Sequence, residues 1–386
     1  PMILSYSERL TMRATIEPIP GFRIDLTASR SFMRNENSYF FPADGNFRNA
    51  QQTGNFSISF IALGSAFQKL KQSDNYYSPV FELFKRNRAI IANRLGQKRQ
   101  SVLGYGYNPD IFNTDGGANG YGYTSQDVLI PAFMAAYGGI DPNKVTLDRF
   151  PSVWNMMPNW RVNYDGLSKL GFIQKFAKTV SLSHSYTATY NIGSFVSNQI
   201  YDMQDLLNVV RDMQNNFVPQ FNISSVSITE QFGPLIGVDI TFINNISTKL
   251  EIRKNRNILL SLSNNQLTET SSDEFVTGAG YKISDFKFIL KDLAGGQKSF
   301  KSDLNLRADV SVRDNKTILR LLTGAPDQPA QGQKVVTIKV SADYQISDKF
   351  TLRLFYDRIV NTPLVALSYP TATTDVGFSL RFSLAQ

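Results

Sequence analysis

The chain has 386 residues, and its 40 Lys and Arg against 32 Asp and Glu give a formal net charge of +8. It contains no Cys and one His, which excludes disulfide scaffolds, thiolate nucleophiles, Cys/His zinc sites and chemistry that needs two imidazoles. Most classes of enzyme are therefore disfavoured, and the sequence predicts no catalytic residue, no cofactor and no metal site.

Alternation of apolar and polar residues begins near the N-terminus. Residues 10–16 and 22–28 alternate on either side of a turn at residues 18–21, which is the pattern of two paired strands. Arg23 and Asp25 lie on the polar side of the second strand. A weaker strand candidate follows at residues 56–60.

Residues 66–158 interrupt the series of strands. They contain a candidate amphipathic helix at residues 79–95 and a segment rich in Gly, Tyr and Asn at residues 104–123. An insertion this long predicts a plug, a cap or a partner-binding lobe. Strand directions counted back from the C-terminus place it outside the cell, whereas directions counted forward place it in the periplasm, so both sides stay open.

The remaining residues, 159–386, continue as strands. Weaker candidates lie at residues 160–164, 180–192, 226–232, 236–242, 249–253, 258–262 and 275–281, and a short helix is expected at residues 202–214. The sequence thus divides into strands at 1–65, the insertion at 66–158, and strands at 159–386.

The clearest alternation is in the C-terminal part, at residues 304–313, 336–344, 350–356 and 376–384. Its apolar side is predicted to face lipid and its charged side, with that of residues 22–28, to face a hydrated lumen. The lipid-facing candidates are Leu304, Leu306, Val310, Ile338, Leu352, Leu354, Phe378 and Phe382. The lumen-facing candidates are Arg23, Asp25, Arg307, Asp309, Lys339, Asp343, Arg353 and Asp357.

These segments add up to about 14 strands, which predicts an all-β fold, namely an antiparallel transmembrane β-barrel segment with a partly helical insertion. Short turns at residues 233–234, 254–257 and 347–348 alternate with long loops at 264–274, 323–334 and 361–374, as in outer-membrane barrels. Residues 128–140 are the most apolar stretch but are too short for a spanning helix. A soluble sandwich would show the same alternation, with the apolar side in its core.

Other motifs have ordinary explanations. His184 is in phase with apolar strand residues, which favours a structural role over a general base. Residues 116–122 are rich in Gly but lack the Lys-Ser/Thr of a phosphate loop. Asp110, Asn113 and Asp115 lack the Glu that would complete a calcium loop. Because basic residues alternate with acidic ones along the strands, a nucleic-acid partner is not expected.

An ordered set of segments resembles the C-terminal region of the SprA/Sov family, the outer-membrane translocons of the type IX secretion system. These segments are residues 160–167 (WRVNYDGL), 182–186 (LSHSY), 190–194 (YNIGS), 232–238 (FGPLIGV), 262–268 (LSNNQLT), 304–309 (LNLRAD) and 352–358 (LRLFYDR). The resemblance covers nearly the whole chain, which would then be the last part of a much larger polypeptide. The first six residues, without an initiator Met or a signal-peptide layout, agree with that expectation.

The resemblance implies one very large barrel in the bacterial outer membrane that exports folded cargo proteins and serves gliding motility. It also implies, as partners, outer-membrane lipid, the rest of the barrel, a PorV-like barrel protein, a periplasmic plug protein and the secreted cargo. It assigns no residue to any of these contacts. The alternatives are a receptor or transporter barrel for nutrients or lipids, and a soluble β-rich adhesin.

Overall fold

The structure is a computed structural model that describes residues 2–43, 45–68, 70–104, 108, 111–201, 210–291, 297–322, 324, 327–347, 350–364 and 368–382. Strands make up 61% and helices 16%, which confirms the predicted all-β class. Among the described residues there is one antiparallel sheet of 13 strands, where the sequence predicted about 14.

The strands follow one another in chain order across most of the sheet, and β1 and β13 are its two edges. The strands are β1 (Met2–Ile19), β2 (Phe22–Phe41), β3 (Asn46–Ser59), β4 (Asn159–Tyr164), β5 (Ala177–Ser197), β6 (Phe221–Ile223), β7 (Ser225–Phe242), β8 (Ile246–Ser261), β9 (Gln266–Lys291), β10 (Gln297–Leu321), β11 (Gln328–Ser347), β12 (Phe350–Pro363) and β13 (Thr371–Phe382). The helices are α1 (Leu63–Ala66), α2 (Pro79–Leu103), α3 (Gln126–Gly138) and α4 (Gly171–Gln174), with single 3-10 turns at Gln72–Asp74, Val153–Asn155 and Gly166–Lys169.

Residues 60–158, here called the lobe, are inserted between β3 and β4, which together fill a single strand position of the sheet. β3 pairs with residues 30–41 of β2, here called its upper half, and β4 pairs with residues 22–27, its lower half. Both are antiparallel to β2 and both pair with β5, so β3 and β4 run in the same direction and share one strand position between β2 and β5. The lobe therefore starts and ends halfway along the sheet. Both counts of strand direction placed it at strand ends, which is why they disagreed.

Side chains complete the hydrogen bonds where the strand is interrupted. Ser59 Oγ accepts from Ser29 N at 2.5 Å and donates to Ser29 O at 2.9 Å, and Asn159 Oδ1 accepts from Ala188 N at 2.8 Å. Ser59 is fully buried. These bonds satisfy backbone groups that would otherwise be unpaired in the interior.

We expect Ser59→Ala to lower the free energy of unfolding by about 1–3 kcal/mol, because it leaves the Ser29 N–H and C=O without their partner. Ser57→Ala is the control, since Ser57 has no side-chain hydrogen bond within the described part of the chain. Thermal or denaturant unfolding of both variants measures the difference. Equal stability of the two variants would contradict the role given to Ser59.

Helix α2 begins and ends with standard capping residues. The Ser78 hydroxyl accepts from Phe81 N at 3.2 Å, Pro79 occupies the first turn, and Gly104 at φ 73° ends the helix. The sequence predicted this helix over residues 79–95, and it extends eight residues further. Helix α3, which the sequence analysis did not predict, is buried on all sides, as its apolar composition requires.

The lobe and the sheet share one hydrophobic core. Side chains of α2 and α3, such as Phe84 and Phe133, pack with strand residues Phe56, Tyr190 and Ile258. The sheet face that carries these strand residues is here called the lobe face.

Several predicted turns are wrong, because they lie inside longer strands. Residues 233–234 form a bulge within β7, where the register with β8 shifts between Phe232 and Ile236. Residues 254–257 continue β8 although they are polar, and residues 266–274 of the predicted long loop belong to β9. The loops predicted at 323–334 and 361–374 are shorter, since β11 begins at Gln328 and β12 ends at Pro363.

The helix predicted at residues 202–214 is not seen in its described part, since residues 210–214 form a bridge and a turn. Residues 202–209, Asp110, Asp348 of the turn predicted at 347–348, and the last two residues of the strand predicted at 376–384 lie outside the described residues. No helix of the described chain is long and apolar enough to cross a membrane.

Candidate functional site: an apolar band and the buried charges above it

The eight residues predicted to face lipid lie on one face of the sheet, because directly opposed residues of paired strands share a face and successive residues alternate. Leu306 is opposite Ala342, Ala342 is opposite Leu354, and Leu354 is opposite Phe378. The others follow from the same registers. That they contact lipid stays a prediction.

These residues belong to an apolar band that continues onto the neighbouring strands. Eleven of its members on β8 to β13 are at least 38% exposed, and no described element packs over them. Leu304, Val310, Ile338 and Leu352 are half-buried between their neighbours. Phe378 is 69% exposed and Leu354 50%. The exposed band residues are Leu250, Ile252, Phe275, Tyr281, Leu306, Val340, Leu354, Val376, Phe378, Leu380 and Phe382.

The band lies on the lobe face. Strand β8 shows this directly, because Leu250 and Ile252 of the band are in phase with Ile258 and Leu260, which are fully buried in the lobe core. The lower part of this face is therefore exposed and apolar, and its upper part is covered by the lobe. About nine residues per strand, from 304 to 312 on β10, form the band, and a transmembrane β-strand needs about 9–11.

The eight residues predicted to face a lumen lie on the opposite face. Arg23 and Asp25 approach to 2.9 Å, Arg307 and Asp309 to 2.6 Å, and Arg353 and Asp343 to 3.6 Å. Lys339 lies directly opposite both Asp309 and Asp357. Because these ion pairs are exposed, each contributes less than about 1 kcal/mol to stability.

Charged side chains contact hydrocarbon only at a large cost, whereas water can solvate them. The two faces of β10 to β12 therefore differ in chemistry. The lobe face carries exposed apolar side chains in its band, and the opposite face carries charged ones.

Above the band, a buried ionic network joins the lobe to the sheet. Arg256 lies 2.8 Å from Glu230 and 4.0 Å from Glu269, and all three side chains are at most 4% exposed. Arg256 also donates to the Ser65 carbonyl at 2.5 Å and to its hydroxyl at 2.7 Å. A strand side chain thus satisfies backbone and side-chain oxygens of the lobe.

Arg320 forms the second half of the network. It lies 3.3 Å from Glu269, pairs with Asp327, and donates to the Tyr76 carbonyl at 2.8 Å. Its guanidinium also lies 5.7 Å from the Phe81 ring. Buried charges are costly unless they are paired, and all the ion pairs of this network join residues outside the lobe. The network holds the lobe through the hydrogen bonds from Arg256 to Ser65 and from Arg320 to Tyr76.

Tyr186 connects the network to the interrupted strand position. Its hydroxyl donates to Glu230 at 2.8 Å and accepts from Ala62 N at 2.8 Å, and its ring stacks on Trp160 at 4.5 Å. The same aromatic cluster holds His184, whose Nδ1 lies 2.6 Å from the Leu235 carbonyl. His184 thus packs within the sheet.

Sequence reasoning missed the ionic network. The sequence signal for such a network is a charged residue at a strand position whose neighbours two residues away are apolar. Glu230 lies between Ile228 and Phe232 in this way, and Arg320 follows Ile318. On an exposed sheet such a residue breaks the pattern. Here Glu230 is paired with Arg256 of the next strand, and Arg256 and Arg320 find further partners in the lobe.

The calcium candidates in the lobe have protein partners. Asp115 accepts from Thr124 N at 2.9 Å and Gly117 N at 3.2 Å, while Asn113 donates to Asn216 at 2.8 Å. Burial alone would raise the pKa of Asp115, but hydrogen bonds from Thr124 and Gly117 lower it below its usual value. Within the described residues no group of three His, Cys, Asp or Glu side chains could hold a metal ion.

No protein-family model and no curated protein matches the chain.

Proposed function

We propose that the chain forms a stretch of the wall of a large outer-membrane β-barrel. The observation that carries this proposal is the exposed apolar band on one face, backed by ion pairs on the other. Lipid would cover the band, and water in a lumen would solvate the charged face.

The soluble adhesin is the weaker alternative. A soluble protein would need a second layer over a patch of this size, because large exposed apolar patches promote association. The band on β8 to β13 has no such cover in the described part of the chain. Bilayer lipid would provide it.

We further propose that the barrel conducts folded proteins, as the similarity to type IX translocons implies. Two features of the described residues support a wide barrel. The sheet has 13 strands, and its edges β1 and β13 do not pair with each other. Pairing with further strands would remove both edges. A protein-conducting pore needs a hydrated wall and no catalytic group.

On this proposal the lobe is not a plug. It packs on the face that carries the band, so it would lie outside the lumen, against the outer wall and just beyond the hydrocarbon. The lobe packs on the part of the sheet around Phe56 and Ile258, which is the part farther from the short turn at residues 20–21. In outer-membrane barrels short turns are periplasmic, which would put the lobe at the outer membrane surface. That position suits a surface for a partner or lipid.

Reconstitution tests the proposal. The natural polypeptide that contains this chain is purified in detergent, mixed with lipid vesicles and floated on a density gradient, and its conductance is measured in planar bilayers. We expect flotation with the vesicles and a conductance well above that of a barrel for nutrients. A small, solute-specific conductance would favour the receptor or transporter barrel, and a compact monomer that needs no detergent would favour the adhesin.

A further inference from the structure

A cleft of about 730 Å³ lies where the lobe meets the top of the apolar band. Its roof is the lobe segment around Phe67 and Lys71, and its floor is the lobe face of β7 to β11. Its apolar lining includes Leu235, Ile252, Phe275 and Val312. Its charged lining comprises Lys71, Arg253, Lys254, Arg256, Lys316, Lys334, Glu269, Asp273, Glu274 and Asp314, of which Arg253 and Glu274 pair with each other at 3.5 Å. Its volume suits a small ligand.

The charges of the cleft are not balanced. Lys254 lies 2.8 Å from Asp273, Lys316 lies 2.8 Å from Asp314, and Arg256 is neutralised by the buried carboxylates above it. Lys71 and Lys334 have no acidic partner within 4 Å among the described residues, and both are exposed. Two lysines are therefore available to an anion.

The cleft has an apolar lower part, next to the band, and a charged upper part, next to the lobe. Val312 and Ile252 are the uppermost band residues of their strands, and Asp314 and Lys254 follow them two residues higher on the same face. Lys334 is directly opposite Asp314. The lysines thus form a polar border above an apolar surface, as headgroups border acyl chains in a bilayer.

We propose that this cleft binds the phosphate-bearing headgroup of a membrane lipid, whose acyl chains lie along the apolar band. The inference rests on the proposed function, since it needs the band to face lipid. Lys71 approaches the phosphate from the lobe and Lys334 from the sheet, while the side chain of Phe67, 56% exposed, covers the upper part of the chains. The bound lipid then fills the space beneath the lobe.

The test uses phosphatidylglycerol as the probe. The natural polypeptide is reconstituted in phosphatidylcholine vesicles with a minor fraction of phosphatidylglycerol, extracted gently, and examined by native mass spectrometry for retained lipid. The double variant Lys71→Gln/Lys334→Gln removes both cations. The control Lys98→Gln/Lys339→Gln makes the same change in net charge with one lysine on the lobe surface and one on the opposite sheet face.

We expect the native protein and the control to retain phosphatidylglycerol in preference to phosphatidylcholine. Loss of a lysine at a membrane surface weakens binding about fivefold, so the double variant should bind roughly 20- to 30-fold more weakly. Flotation and circular dichroism of both variants check that they insert and fold.

Three results would overturn the inference. Insertion with equal lipid retention by the two double variants would remove the headgroup site and leave the proposed function intact. Displacement of the lipid by millimolar inorganic phosphate would make the cleft a site for a free anion. Failure of the native protein to enter the vesicles would contradict the proposed function as well.

Discussion

Leu306→Arg should lower the free energy of unfolding in a bilayer by about 2–4 kcal/mol and reduce assembly into membranes, because an arginine on the lipid face at mid-depth must be desolvated or reach an interface. Leu306 lies within the band, between Tyr281 and Ala342 of the neighbouring strands, and is 38% exposed. The measurement is denaturant unfolding in lipid vesicles, supported by the fraction of protein that floats with them.

The matched control is Asn305→Arg. Asn305 is the preceding residue of β10, lies on the opposite face, and is exposed between Lys282 and Asp343. An arginine there would be solvated by the lumen, so we expect a change below about 1 kcal/mol. Equal effects of the two substitutions would refute the assignment of the faces.

Arg256→Met should destabilise the protein by about 3–5 kcal/mol, since it leaves Glu230 buried without its counter-charge and removes the donors to Ser65. Glu269 keeps its pair with Arg320. The lobe depends on these bonds more than the band does. We therefore expect limited proteolysis to cut the lobe at lower temperature than in the native protein, while the strands below stay protected.

The control for this change is Arg353→Met. Arg353 pairs with Asp343 at 3.6 Å, but the Arg353 side chain is exposed and that of Asp343 is one-third exposed, so the loss should be less than about 1 kcal/mol. If Arg353→Met and Arg256→Met destabilise the protein equally, or if neither loosens the lobe, the ionic network does not hold the lobe in place.

The alternation predicted the two faces of β10 to β13 because those strands carry one type of residue per face for most of their length. Leu304, Leu306 and Val310 alternate with Arg307 and Asp309, and the neighbouring strands repeat the pattern in register. Alternation with a period of two residues indicates which residues share a face. It does not report what covers that face, and so the lipid assignment stays a prediction.

Strand ends were harder to predict, because a run whose composition is typical of a turn can stay extended when it pairs with neighbouring strands. Lys254 and Arg256 stand in a run that resembles a turn, yet their neighbours on β7 and β9 supply partners that keep the run extended. Pro234 lacks an N–H and signals a strand end, but a bulge accommodates it. In both segments the pairing with neighbouring strands, and not the local composition, determines that the chain continues as a strand.

The lobe attachment also depends on long-range contacts. The hydroxyl of Ser59 and the guanidinium of Arg256 find their partners 30 and 191 residues away. No spacing pattern within the sequence predicts such pairs. The interrupted strand position between β2 and β5 is visible only once both halves are seen against their neighbours.

Site-directed spin labelling along β12 tests the central claim most directly. The chain has no Cys, so single cysteines at residues 351–356 can each be labelled, and the access of the nitroxide to oxygen and to a water-soluble nickel complex is measured in vesicles. The account predicts high oxygen access at Leu352, Leu354 and Tyr356 and high nickel access at Thr351, Arg353 and Phe355. Access without this alternation, or with the two sets reversed, would contradict a band that faces lipid.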